Sequence, residues 1–348
     1  MSTASCTEPR WLQKALMPLP LLGAGLGAAA LGALTIGRYP ISLRDIIAFL
    51  AAAAHLSALP QARYDLLHNI IIEIRLPRIL AAALVGAALS ASGAAYQSVF
   101  RNPLVSPGLL GVLGGASFGA ALALILGLGW LAAQGSAFLF GIAAVGLGVG
   151  VANLFGAASM ITLVLGGMIS GALFTAALSI LKYAADPYDQ LPAIVYWLMG
   201  SLASVDLHQV LSIAPPILAG IGALVALGRI MDALAMGDDE ARSLGVPVTL
   251  ARYAIIAAAT LISALCVSMA GMIGWVGLFV PHFARLLVGP RNAALLPAAA
   301  LLGAIFLIGA DGLARSAMRS EIPIGIITEL LGIPAFLLVL RRARKSWA

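Results

Sequence analysis

From Met160 to Leu181 the chain carries no charged side chain, and apolar runs of this kind recur along almost its whole length. Roughly 20 apolar residues are enough to cross a bilayer core as a helix. The spans are expected at about 15–36, 79–98, 108–127, 136–155, 160–182, 209–228, 250–270, 293–311 and 323–340, with the Gly271–Arg285 region as a further, interrupted one. A soluble core could not absorb this much apolar surface. Only 10% of the 348 residues are charged, against about 25% in an ordinary soluble domain. Residues 1–348 are therefore expected to form one all-α polytopic membrane domain with about ten transmembrane helices. Arg10 and Lys14 precede the first run as they would in a signal peptide. The run is long and no clear cleavage site follows it, so a retained first span is expected.

The polar stretches place the turns. Residues 37–74 hold Arg38, Arg44, Asp45, Arg63, Asp65 and Glu73, with apolar pieces too short to cross, so short helices outside the membrane are expected there. Asn102-Pro103 and Ser106-Pro107-Gly108 break helices and mark a reversal. Three glycines and a proline interrupt Gly271–His282, a pattern that suits irregular backbone shielded by protein. Arg75-Leu-Pro-Arg78 stands at the mouth of a span, where arginines can also act simply as interfacial anchors.

The densest charged patch is Met236-Gly-Asp-Asp-Glu-Ala-Arg-Ser-Leu-Gly-Val246. Its charges must lie in water, while Leu234, Met236, Ala241, Leu244 and Val246 still need a surface to cover. A short amphipathic helix pressed on a soluble partner meets both needs, and a solvated loop is the plainer alternative. With ten spans and basic Arg341, Arg342, Arg344 and Lys345 at the end, both termini are expected in the cytoplasm. The patch then lies on the cytoplasmic side and Arg75, Arg78 and Arg315 lie on the outer one.

Several functions are disfavoured. The net charge of +6 is scattered over span ends, not gathered on one face as for nucleic acid. Cys6 and Cys266 offer no disulfide framework. His282 has no second His or Cys nearby, so no metal site or catalytic base is expected. None of the three lysines follows a glycine, so there is no phosphate-cradling P-loop. Ionisable residues are scarce in mid-span, unlike the relays of proton-coupled carriers. An external ATPase gripping the 236–246 patch is the better source of energy.

The chain resembles the permease subunits of type II ABC importers, the iron-chelate/cobalamin permease family. Arg75-Leu-Pro-Arg78, Gln97, Phe100-Arg-Asn-Pro-Leu104, Pro107-Gly-Leu-Leu-Gly-Val112, Trp197-Leu-Met-Gly-Ser201, Gly237–Val246, Gly271–Arg285, Glu321-Ile-Pro-Ile-Gly325 and Gly332-Ile-Pro-Ala-Phe336 carry the likeness in family order. Trp275 departs from the more frequent Phe. The resemblance implies a homodimer in the bacterial inner membrane, served by two cytoplasmic ABC ATPases and a periplasmic binding protein. ATP and Mg would sit on the ATPase, with no cofactor on this chain. Coupling would fall to residues 231–247, specifically Gly237, Asp238, Asp239, Glu240, Ala241, Arg242, Leu244 and Gly245. Arg75, Arg78 and Arg315 would face carboxylates of the binding protein. Ala157, Ala158 and Ser159 would form the gate, and 160–182, with Gly166, Gly167 and Ser170, would line the path. An iron(III)–siderophore complex is the expected cargo, with haem, cobalamin or a molybdate-type oxyanion as alternatives within the family. An ion-coupled secondary carrier is the alternative outside it.

Overall fold

The computed structural model describes residues 18–37, 39–154 and 159–347, and every regular element among them is helical. In chain order the α-helices are α1 Pro18–Thr35, α2 Leu43–Ala53, α3 Gln61–His68, α4 Leu76–Val99, α5 Val112–Ile125, α6 Gly129–Leu154, α7 Met160–Ala184, α8 Gln190–Leu198, α9 Leu207–Ala226, α10 Gly228–Met236, α11 Asp238–Ser243, α12 Val248–Ala270, α13 Val276–Val288, α14 Asn292–Ser316 and α15 Ile324–Trp347. A π-helical turn, Asn69–Arg75, leads into α4, and a 3-10 turn, Pro107–Leu110, precedes α5.

Six helices, α1, α6, α7, α9, α12 and α14, are long and apolar enough to cross a membrane. The shorter apolar helices are α5, α13 and residues 324–338 of α15. With α4, these occupy the ten stretches read as spans. The span expected at 108–127 is shorter than expected, and the Gly271–Arg285 one is interrupted, as its glycines and proline imply. Residues 108–127 yield the 3-10 turn and the 14-residue α5, and 271–288 yield an irregular segment followed by the 13-residue α13. At 1.5 Å per residue, fourteen residues rise about 21 Å, short of a hydrocarbon core of about 30 Å. Left-handed backbone at Gly111 (φ +88°) and Gly271 (φ +70°) stops the helix in each case. The two breaks meet inside the bundle, where a Cβ on Gly277 would lie 3.3 Å from Pro107 Cδ and 2.7 Å from the Leu89 carbonyl oxygen. Irregular backbone at this depth is tolerated because protein surrounds it.

α4 is the hub. It is rich in Ala, Gly and Ser, and nearly all its side chains are buried, from Pro77 to Val99. It packs on α14, α12, α13 and α9. Where α4 crosses α14, a Cβ on Gly86 would stand 2.1 Å from the Gly303 carbonyl oxygen. Backbones this close gain dispersion contact that lipid cannot mimic. Polar groups on α4 find partners across the crossings: Tyr96 Oη lies 2.7 Å from Thr260 Oγ1, and Gln97 Nε2 donates to the Leu278 carbonyl at 3.0 Å. Ser98 Oγ donates to Asn292 Oδ1 at 2.7 Å.

Charged side chains gather at the two ends of the bundle. The 39–75 segment forms the expected short helices, closed over its own small core of Ile41, Ile46, Phe49, Leu67 and Ile71. Substitution Gly86→Leu is expected to force α4 from α14. Overpacking of a filled site costs about 1–3 kcal/mol, so a lower midpoint of thermal unfolding in detergent checks it, with Gly146→Leu, whose Cβ would meet nothing within 4 Å, as the control.

Candidate functional site

At one end α10 and α11 form an elbow between α9 and α12. The bend is at Gly237, whose φ of +144° is a backbone conformation that L side chains rarely adopt, which favours glycine there. The elbow has an inner and an outer face. Met231, Leu234 and Ala241 are buried against the bundle, while Met236 and Leu244 are 60% and 63% exposed. The apolar residues of this stretch are thus divided: Leu234 and Ala241 cover the chain itself, Val246 is half-buried, and two remain uncovered.

The carboxylates divide in the same way. Asp238 accepts from Arg252 Nη2 at 2.8 Å and from Arg101 Nη2 at 3.2 Å. Burial pushes this carboxyl up, but the Arg252 hydrogen bond and charge, with Arg101 and Arg242, outweigh it and hold it below the ordinary carboxylate range. Asp232, on α10, accepts from both the backbone N–H and Nδ2 of Asn292 at 2.8 Å. Asp239 and Glu240 remain exposed, Asp239 sharing an exposed ion pair with Arg242 at 2.8 Å. Gly245 (φ +78°) turns the chain back toward α12.

The other end holds Arg75, Arg78 and Arg315, the residues expected to face a binding protein. They are 3%, 5% and 6% exposed, and each has partners within the chain. Arg78 Nε donates to Asp311 Oδ1 at 2.7 Å and Nη1 to Glu321 Oε2 at 2.8 Å. Arg315 Nε lies 2.9 Å from Asp311 Oδ2. The remaining donors reach carbonyls at and just beyond the end of α1. Arg75 donates to Leu34 and Tyr39, and Arg315 to Ala33 and Ile36. Carbonyls at a helix C-terminus lack intrahelical donors and attract cations. The arginines therefore knot α1, α4 and α14 together.

The residues expected at the gate and along the path have these surroundings. Ala157 and Ala158 lie outside the described residues. Ser159 caps α7, its Oγ accepting from Thr162 N at 3.1 Å. A Cβ on Gly166 would sit 2.1 Å from the Gly148 carbonyl oxygen, and one on Gly167 would sit 2.7 Å from that of Leu109. Ser170, fully buried, donates to the Ala144 carbonyl at 2.6 Å. All three are used in packing α7 on α6 and the 3-10 turn. The uncovered face of α7 carries Ile161, Leu165, Met168, Ile169, Leu173, Ile180 and Tyr183.

The FecCD transport family pattern matches residues 25–342. The chain belongs to the FecCD transport family. It is 38% identical over 329 residues to the molybdate import system permease protein MolB of Haemophilus influenzae, covering 94% of this chain and 96% of that one. It is 38% identical over 275 residues to a protein of Helicobacter pylori described as an iron chelatin transport system permease, covering 79% and 83%. A solved metal-chelate type ABC transporter in an inward-facing conformation superposes with a TM-score of 0.82 at 36% identity, covering 94% of this chain and 99% of that one. The FecCD chain is thus an ABC permease subunit, a multi-pass membrane protein and not itself an enzyme.

Sequence reasoning singled out the patch and the arginines but gave Asp232 no part beyond its place in the 231–247 segment, and no role to Asn292 or Asp311. Asp232 and Asn292 meet across 60 positions and Asp311 meets Arg78 across 233, so no local pattern marks these contacts. Asp311→Ala should strand two buried guanidinium groups, and breaking such a pairing costs about 3–5 kcal/mol. Thermal unfolding in detergent checks this. The triple variant Arg78→Met, Asp311→Leu, Arg315→Met should lose less than Asp311→Ala does. Asp238 has a depressed pKa, so its contribution is present at neutral pH and lost as pH falls through that value. Asp238→Asn should therefore speed limited proteolysis at 237–247 at neutral pH, and the wild type should lose its advantage below about pH 4, the ordinary carboxylate range.

Proposed function

We propose that this FecCD permease is the translocating subunit of an ATP-driven importer whose cargo is an iron(III)–siderophore complex. It works as a homodimer in the bacterial inner membrane with both termini in the cytoplasm. Two cytoplasmic ABC ATPases bind and hydrolyse ATP with Mg, and a periplasmic binding protein delivers the cargo. The elbow carries the reading. One face is fixed to the bundle by Asp232, Asp238, Leu234 and Ala241, while Asp239, Glu240, Met236 and Leu244 are free to enter a cleft in the ATPase.

The chelate reading rests on the uncovered face of α7. It is apolar, and no charged residue occurs from Met160 to Leu181. Such a surface offers nothing to a bare anion but does not impede a cargo already enclosed by its chelator. The metal-chelate transporter of similar structure and the Helicobacter relative agree with it. Molybdate is the second reading, favoured by the Haemophilus relative that matches over almost the full length. Binding-protein docking belongs to the outer end. There the buried arginines hold the docking surface in shape, and exposed Arg319 is available to a partner carboxylate.

Asp239→Lys with Glu240→Lys should abolish co-purification of the ATPase and uptake, while the permease still unfolds at the wild-type temperature. Retained assembly and uptake would overturn the coupling assignment. Uptake into proteoliposomes holding the cognate binding protein and ATPase should proceed with ferric siderophore and not with molybdate; the reverse result would install the second reading.

A further inference from the structure

The elbow must do more than hold an ATPase; its movement has to reach the far end of the bundle. Two polar ties connect it to the rest of the chain. Asp238 binds Arg252 at the start of α12, only 14 residues ahead, and Arg101 in the turn after α4. Asp232 reaches 60 residues ahead, to the first residue of α14.

The second tie has an unusual form. The residue preceding α14, Arg291, gives no side-chain cap to its own helix. The first N–H of α14 is instead accepted by a carboxylate from α10. A carboxylate here satisfies an orphan donor and complements the positive end of the helix dipole. The same Asp232 oxygen takes Asn292 Nδ2, and Asn292 Oδ1 accepts from Ser98 at the end of α4. Asn292 is 2% exposed. One carboxylate of the elbow is thus joined to the ends of both α4 and α14.

These two helices are also fixed at their other ends. Arg78 of α4 and Arg315 of α14 share Asp311. Between the two knots the helices touch backbone to backbone at Gly86 and Gly303. α14 has 25 residues, about 37 Å at 1.5 Å per residue. The pair is therefore a stiff strut running from the elbow to the outer face.

We propose that Asp232 is the positioning residue that connects the elbow to the α4–α14 strut, so that ATP-driven displacement of α10 reaches the outer end through this trans cap. This rests on the coupling role proposed above for the elbow. Its action is through Asn292, without contact with cargo or nucleotide.

The test uses the reconstituted importer with its ATPase and binding protein. Asp232→Ala should co-purify with the ATPase and keep basal hydrolysis. Stimulation by loaded binding protein and uptake should fall about tenfold, within the range that coupling between sites spans. The exchange Asp232→Asn with Asn292→Asp reverses donor and acceptor in the side-chain bond and still offers the backbone N–H of residue 292 an amide oxygen, and should restore stimulation. A fluorophore on Met318→Cys, exposed beyond α14, should respond to nucleotide in the wild type and the exchange variant but not in Asp232→Ala. Wild-type stimulation and nucleotide response in Asp232→Ala would overturn the proposal. So would failure of the exchange variant to recover while it assembles normally. Loss of ATPase co-purification in Asp232→Ala alone would also overturn it, because the residue would then be holding the docking face. If Asp239→Lys with Glu240→Lys still assembles and transports, the elbow reading itself falls, a result separate from any of these.

Discussion

A carboxylate inside an apolar bundle stays ionised only if counter-charges surround it. Asp311 is 1% exposed and sits between Arg78 and Arg315. Much of the architecture depends on this arrangement. It fixes the register of α4 against α14, since neither helix can slide without uncovering charge. It leaves the guanidinium groups with donors to spare, and those donors hold the end of α1. It also draws in Glu321 ahead of α15. Ion pairs of this kind add little net stability, because desolvation offsets most of the attraction. What they supply here is position.

The sequence was legible where the membrane imposes its own rule. Long runs without charge became helices close to the places expected, and the 236–246 patch emerged as an anchored elbow outside the bundle. Legibility failed at two kinds of site. At the first break, apolar composition hid the loss of helix: 108–127 carries no charge, but Gly111 adopts backbone that no helix permits, whereas the glycines and proline of 271–282 announced the second break at Gly271. At the arginines, composition could not say what lay opposite. Arg75, Arg78 and Arg315 read as surface charges at span mouths because the partners that bury them, Asp311 for Arg78 and the carbonyls near the end of α1 for Arg75 and Arg315, are remote in sequence.

The small residues of α7 show a related ambiguity. Gly166, Gly167 and Ser170 suit a slippery path, and they suit close helix contact equally well. The structure uses them for contact with α6 and the 3-10 turn. The elbow resolves its own ambiguity through burial. Its six-residue helix α11 presents Asp239 and Glu240 to water while Ala241, next to them, is fully buried. A solvated loop would not separate its neighbours so sharply.

The arginine knot has a consequence for biogenesis. Arg78 and Asp311 are separated by 233 residues, and the bonds from Arg315 to Ala33 and Ile36 span 282 and 279. Chains grow at about 5–20 residues per second, so α1 and α4 enter the membrane on the order of tens of seconds before their partner in α14 exists. Through that interval Arg75 and Arg78 must be satisfied by water and headgroups. The fold closes only when its last third arrives, which makes the nascent chain, more than the finished one, the form in which these charges face the lipid.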